Sequence, residues 1–244
     1  MTDAELPHYE DSEAPDPPPH WEADVIVSDG GTVHLRPIRP SDAEALVTFH
    51  GGLSQRTRYL RYFSAYPRIP DRDLYRFSHV DHHDRVALIV ELGGAAIAIG
   101  RYEGTAGADE AEVAFVVADA HQGRGIGSVL LEHLAAAGRE SGIHRFSAVV
   151  LADNVAMMRV FIDAGYEVTR QMDVGEVTLE FAIDATAMTE SVMREREQRA
   201  EARSIQRLLF PKSVAVVGAS NDEGKIGNAV FGNLLRMGFD GPIY

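Results

Sequence analysis

The sequence predicts an α/β (α+β) domain, one mixed sheet of about seven strands flanked by about four helices in about 160 residues. Three observations carry this. Apolar segments of period two interleave with helical patterns from residue 32 to residue 183. Two of them flank Gly93-Gly94, as in a hairpin. A continuous apolar run, residues 113–117, is followed by Gln122-Gly123-Arg124-Gly125-Ile126-Gly127 and then by a helical pattern over residues 128–141. Strand, glycine-rich turn, helix is an arrangement that aims free backbone N–H groups at a phosphate.

Residues 32–39 alternate, with Val33 and Leu35 on one face, and read as a strand stopped by Pro40. Ser41-Asp42-Ala43-Glu44 has a capping-box pattern, so a helix is expected through about His50. Residues 53–63, rich in Arg and Tyr, form a second helical pattern and residues 71–77 a short third one. Residues 86–92 and 95–102 are the hairpin strands. Residues 112–117 follow, apolar enough for a central, doubly covered position. Gly142 is the expected C-cap of the long helix. A strand over 146–151, a helix over 154–164 stopped at Gly165, and strands over 166–169 and 176–183 complete the domain.

The flanks differ in composition. Residues 1–24 hold eight acids, five prolines and no Lys or Arg, which predicts a disordered tail. Residues 184–204, with Arg194-Glu195-Arg196-Glu197 at their centre, read as a solvated helical linker on which Met188 and Met193 pack against the domain. From residue 205 a new unit begins: Val214-Ala215-Val216-Val217 running into Gly218, then a helix through Leu235. One strand and one helix cannot close a core, so the chain reads as part of a longer protein.

A net charge of −14 and a pI near 5.1 argue against general nucleic-acid binding and favour a cationic partner. With no cysteine, thiol catalysis and disulfides are excluded, and any zinc site would need His, Asp or Glu alone. His79-Val80-Asp81-His82-His83-Asp84 has the look of a metal cluster, but its spacing suits a polar loop and no further ligands are evident; no metal is expected. There is no secretory signal pattern and no apolar run approaching the ~20 residues of a membrane span, so no membrane association and a cytoplasmic location are expected.

The glycine-rich turn lacks the Gly-Lys-Ser/Thr of a nucleotide P-loop, and its Gln-x-x-Gly-x-Gly spacing differs from the dinucleotide fingerprint. It reads instead as a cradle for the pyrophosphate of coenzyme A, and acyl transfer is the chemistry that follows. Gly123, Gly125 and Gly127 would allow close approach and positive φ, Gln122 would add an amide and Arg124 a counter-charge, with Ile126 and Ser128 completing the turn. A backbone N–H near Phe115 or Val117 would polarise the thioester. An amine acceptor must lose a proton, and lysine has a pKa of about 10.4. Glu112, alone as a charge on a face shared with Ala114 and Val116, is the candidate general base, expected in an apolar setting that raises its pKa. Arg56, Arg58, Tyr59, Arg61 and Tyr62 could contact substrate, although the two tyrosines fit a helix core face better.

Residues 112–168, with Asn154 downstream of the turn and an Ala164-Gly165-Tyr166 ending, resemble motifs A and B of the GNAT superfamily of N-acetyltransferases. The resemblance spans about residues 30–183 and implies the GNAT fold, whose mixed sheet is mostly antiparallel, and acetyl-CoA as cosubstrate. Leu35-Arg36-Pro37-Ile38-Arg39-Pro40-Ser41-Asp42, Leu53-Ser54 and Arg61-Tyr62-Phe63 are similar to bacterial protein lysine acetyltransferases of the Pat type. That resemblance implies a strand glutamate, here Glu112, as base, and target proteins bearing a reactive lysine, notably acyl-CoA synthetases. Many superfamily members carry a Tyr seven residues after the Asn as general acid; Phe161 stands there and donates no proton. The segment from Leu209-Phe210-Pro211-Lys212-Ser213-Val214 to Tyr244 resembles the start of the CoA-binding domain of NDP-forming acyl-CoA synthetases. Two other functions fit the same motif region, acetylation of small-molecule amines and a non-catalytic CoA-sensing module.

Overall fold

The computed structural model describes residues 14–244. Strands β1 (Ala23–Ile26), β2 (Thr32–Pro37), β3 (Arg85–Leu92), β4 (Ala95–Gly104), β5 (Glu110–Val117), β6 (Arg145–Leu151), β7 (Thr169–Asp173) and β8 (Glu176–Ala182) form one sheet in the order β1-β2-β3-β4-β5-β6-β8-β7. Every pairing is antiparallel except β5 with β6. Helices α1 (Ala43–Gly52), α2 (Gln55–Tyr62) and α3 (Asp71–Ser78) lie between β2 and β3 in sequence. Helix α4 (Ile126–Glu140) joins β5 to β6, and α5 (Val155–Asp163) follows β6. Helices α6 (Ala187–Leu209) and α7 (Ile226–Arg236) follow the sheet.

The apolar runs are continuous because both faces of the central strands are covered. Val86, Leu88 and Val90 of β3 and Val113 and Phe115 of β5 pack with Leu130, Leu131 and Leu134 of α4 in the larger core. Ala87 and Ile89 of β3, Ile99 of β4 and Val116 of β5 face the other way, onto Leu46 and Phe49 of α1 and Leu74 of α3. β5 thus sits in mid-sheet, with α4 on one side and α1 to α3 on the other.

Several expectations are corrected. Of the tail expected over residues 1–24, residues 1–13 lie outside the described part, while the remainder ends in ordered structure. Pro19–Trp21 is a 3-10 turn, Trp21 is buried, and its Nε1–H donates to Glu140 Oε2 at 2.8 Å at the end of α4. β1 then pairs with β2. One aromatic side chain anchors what the acids and prolines suggested was free chain. The strand expected over 166–169 forms at Thr169–Asp173, because Gly175, at φ 85°, sets the hairpin to β8. The capping box before α1 is replaced by an ion cluster. The Asp42 carboxylate accepts from Arg36 and from the Arg39 N–H, and Arg36 also reaches Glu91.

Helix α6 is exposed along most of its length, as a solvated helix would be, but one stripe of it docks on the domain. Arg196 Nε and Nη2 donate to the Glu132 carboxylate of α4 at 2.8 and 2.6 Å, and Ala200 is fully buried. Met193 is half-buried, whereas Met188 is exposed rather than packed. Beyond residue 204 none of the described residues is buried. The strand expected at 214–217 is a single parallel bridge between Val214 and Ile243.

Candidate active site

Strands β5 and β6 pair only from Glu110↔Arg145 to Glu112↔Ser147 and then part. Ala118 N–H donates to Ile97 O, which fixes the phase of β5 against β4. Val116 and Ala114 therefore turn their backbone groups to β4, while Phe115 and Val117 turn theirs into the gap left by β6. A cleft of about 450 Å³ opens there, lined by β5, α2, the turn before α4 and the first turn of α5. It is the geometry of an exposed strand edge, able to take an extended amide-bearing chain.

At one end of the cleft the chain turns into α4 through Gly123 (φ 73°) and Gly125 (φ 77°). Positive φ at both rotates the following peptides so that the helix starts without a side-chain cap. The first-turn N–H groups of Ile126, Gly127 and Ser128 have no intrahelical partner and sit at the cleft wall beside the positive end of the helix dipole. Gly127 departs from the expectation of positive φ. It is helical, and its need is space, since a Cβ would stand 3.3 Å from Val160 Cγ2 and 3.4 Å from Phe115 Cε2.

The remaining candidates divide. Phe115, Val117, Gln122 and Asn154 line the cleft. Gln122 Nε2 donates to Val117 O at 3.1 Å and to Thr57 Oγ1 at 3.3 Å. Asn154 Oδ1 accepts from Met157 N–H and so caps α5. Arg124 does not line the cleft. Its Nε donates to Asp29 Oδ2 at 2.8 Å and Nη1 contacts His121, so its charge is already engaged. The arginines that do line it are Arg56 and Arg61 of α2. Phe161 is buried, its ring 5.3 Å from that of Phe115, and it packs the core beneath the cleft. Tyr62 stacks on Tyr66 at 4.2 Å, but Tyr59 is half-exposed, against the expected core role.

Glu112 is exposed, so the dry apolar setting expected around it is absent. It lines a recess of about 40 Å³ that adjoins the cleft and shares Arg61, Phe115 and Asn154 with it.

Sequence reasoning missed Ser54, Thr57 and Asp119. The Asp119 carboxylate accepts from Ser54 N–H at 2.9 Å, Ser54 Oγ at 2.7 Å and Thr57 Oγ1 at 2.7 Å. This ties the start of α2 to the end of β5. Desolvation, the largest single influence, pushes the Asp119 carboxyl up, yet the bonds from Ser54 and Thr57 together hold it below the usual carboxylate range. The Ser54-x-x-Thr57 spacing, an N-cap at the head of α2, was the one available signal.

In the 79–84 loop, Asp81 accepts from the backbone N–H groups of His83 and Arg85 and so shapes the turn. Among the described residues no three His, Asp or Glu side chains are grouped to hold a metal, and no helix is long and apolar enough to cross a membrane.

A mixed sheet splayed beside a glycine-led helix is the architecture of a CoA-type acyltransferase, and the comparisons agree. Residues 54–166 match the acetyltransferase (GNAT) family. The crystal structure of the GNAT domain of S. lividans PAT superimposes with a TM-score of 0.66 at 51% identity, covering 68% of this chain and 99% of that one. The acetyltransferase Pat of Mycolicibacterium smegmatis is 38% identical over 161 residues, 64% of this chain and 47% of that protein. The chain thus spans about half the length of that relative. A 41-residue stretch is 54% identical to the alpha subunit of an ADP-forming acetate–CoA ligase of Pyrococcus furiosus, 17% of this chain and 9% of that one. The chain belongs to the GNAT family of acetyltransferases.

Proposed function

We propose that this chain is a protein lysine N-acetyltransferase using acetyl-CoA by direct transfer, acting in the cytoplasm on proteins such as acyl-CoA synthetases. The observation that carries the reading is the cleft: main-chain groups of Phe115 and Val117 along one wall, free N–H groups of Ile126, Gly127 and Ser128 at its end. The likeness to two Pat proteins supports the acceptor class. We place the acetyltransferase unit from Pro19 through α6, and read residues 205–244 as the start of a CoA-ligase-type domain, a reading the ligase match supports.

Acetyl-CoA supplies an activated acyl group. The turn at Gly123 and Gly125 and the head of α4 bind its diphosphate by charge-assisted N–H bonds. The β5 edge orients the extended pantetheine arm through its amides. The N–H of Phe115 or Val117 meets the negative charge that develops on the thioester oxygen. Glu112, reaching from the adjoining recess, takes a proton from the lysine ammonium. The neutral amine then forms the N–C bond as the C–S bond breaks, and the proton still carried by the acylated nitrogen passes to water, leaving amide and thiolate. Phe161 offers no proton, so the thiolate leaves as such; with a thiol pKa of about 8.5 it is a competent leaving group. Exposure of Glu112 favours a protein acceptor. A small amine leaves the carboxylate in water, whereas a protein surface seated over the cleft covers it.

The test incubates the full chain with acetyl-CoA and a purified acyl-CoA synthetase, and maps modified lysines by mass spectrometry. Glu112→Gln is expected to lower kcat by about 10²–10⁴ with CoA affinity retained. Equal rates for parent and variant refute Glu112 as base. Acetylation of free amines alone supports the small-molecule reading, and CoA binding without any transfer the sensing one.

A further inference from the structure

Between β1 and β2 the chain makes a tight turn, residues 27–31, that touches the cofactor-binding turn on one side and α6 on the other. Ser28 N–H donates to Arg124 O at 2.9 Å. The Asp29 carboxylate takes Arg124 Nε at 2.8 Å and, through Oδ1, the Gly31 N–H at 2.9 Å. A Cβ on Gly125 would stand 3.4 Å from Ser28 Cβ. On the far side, Arg203 Nη1 of α6 donates to Ser28 O. Gly30, at φ 81°, lies so close to α6 that a Cβ there would stand 2.7 Å from Ser204 N. Ser28 therefore spends its N–H on the cofactor turn and its carbonyl on α6. Helix α6 is also pinned to α4, whose first turn carries the free N–H groups, by the Arg196–Glu132 pair. Its last turns lead into residues 210–244, none of which is buried.

We propose that the 27–31 turn is a positioning element for the Gln122–Gly127 turn, with Asp29 and Arg203 as its two clamps, so that the placement of α6 sets the affinity for the cofactor's diphosphate. The inference rests on the CoA reading of the cleft. Arg124 is a positioning residue in this scheme and not a ligand: its guanidinium holds its own turn to Asp29, leaving the glycine peptides facing the cleft. A shift of α6 pulls on Ser28 and is transmitted to the peptide of Arg124, immediately before Gly125. One residue joining two elements is a short mechanical path. Side-chain changes along such a path shift binding by about three- to thirtyfold.

The experiment measures CoA binding to the full chain by calorimetry, and KM and kcat for acetyl-CoA with an acyl-CoA synthetase as acceptor. Asp29→Asn keeps an oxygen for the Gly31 N–H and removes the charge facing Arg124. Arg203→Ala removes the clamp from α6. Each is expected to raise Kd and KM for the cofactor about three- to tenfold, with kcat at saturation unchanged. The double variant is expected to show less than the product of the two effects, because both act through one turn. Arg199→Ala, which removes an exposed pair with Glu195 on the same helix, leaves Kd unchanged. A merely structural role lowers Tm without moving Kd, and that result overturns the inference, as do two single variants that bind CoA as tightly as the parent. A parent chain that binds no CoA overturns the reading of the cleft itself, and the inference with it.

Discussion

Removing Arg196 tests how α6 is held. The Glu132 side chain is 8% exposed and the Arg196 side chain 16%, and the guanidinium makes both close contacts to the carboxylate. Arg196→Ala strands a buried carboxylate, which costs about 3 kcal/mol, the lower end for a broken buried pair because Arg196 keeps some solvent contact. For a chain of this size that is a fall in Tm of about 6–12 °C. The loss depends on pH. Burial pushes the Glu132 carboxyl up, and Arg196 pulls it partly back. Without Arg196 the folded-state pKa rises further above its unfolded value. In the window between the two values the folded chain binds more protons than the unfolded one, so acidification stabilises the variant relative to its unfolded state. The deficit is therefore largest near about pH 8 and shrinks towards about pH 5. Urea unfolding of parent and variant at both pH values, followed by circular dichroism, reads it directly. A deficit below about 1 kcal/mol at the higher pH, or one equal at both, refutes the reasoning. Replacing both residues by Met is expected to recover most of the loss, since two apolar chains of similar length fill the site without a charge.

Two further outcomes follow from named geometry. Gly125→Ala places a Cβ at φ 77° and against Ser28, and is expected to cost about 1–2 kcal/mol and to weaken CoA binding about tenfold by calorimetry. Gly142→Ala, with the same positive φ but open space at the far end of α4, gives a similar loss of Tm and unchanged binding. Burial pushes His50, His82 and His133 below the usual histidine range, with Arg58 adding to the effect at His50 and Arg196 at His133. Their neutral forms stabilise the fold above the unfolded pKa of about 6.5, and that stability is lost as pH falls through the depressed values. Tm is expected to drop between about pH 7 and pH 5, and His50→Gln with His82→Gln to flatten the slope; an unchanged slope refutes the assignment.

Period and glycine placement made much of the fold readable in one dimension. β3, β4 and α4 are long and strongly patterned, and the residues that turn the chain between β5 and α4 are glycines whose φ values no other residue adopts cheaply. What failed to read were features that depend on distant partners. β1 is four residues long and preceded by acids and prolines; Trp21 finds Glu140, 119 positions away, and that contact orders the segment. Arg124 reads locally as a counter-charge for phosphate, and nothing near it in sequence shows that its guanidinium lies against Asp29, 95 positions away. α6 carries the charge pattern of a solvated helix, yet one of those charges is the partner of a buried Glu132.

Local sequence alone thus determined the long, strongly patterned elements, the glycine turn and the family, because backbone preferences and side-chain periodicity act over a few residues. Tertiary structure alone decided which charges face the cleft, how far β5 and β6 stay paired, and that Glu112 meets solvent. Those follow from where separate segments converge, and short-range pattern carries no information about that.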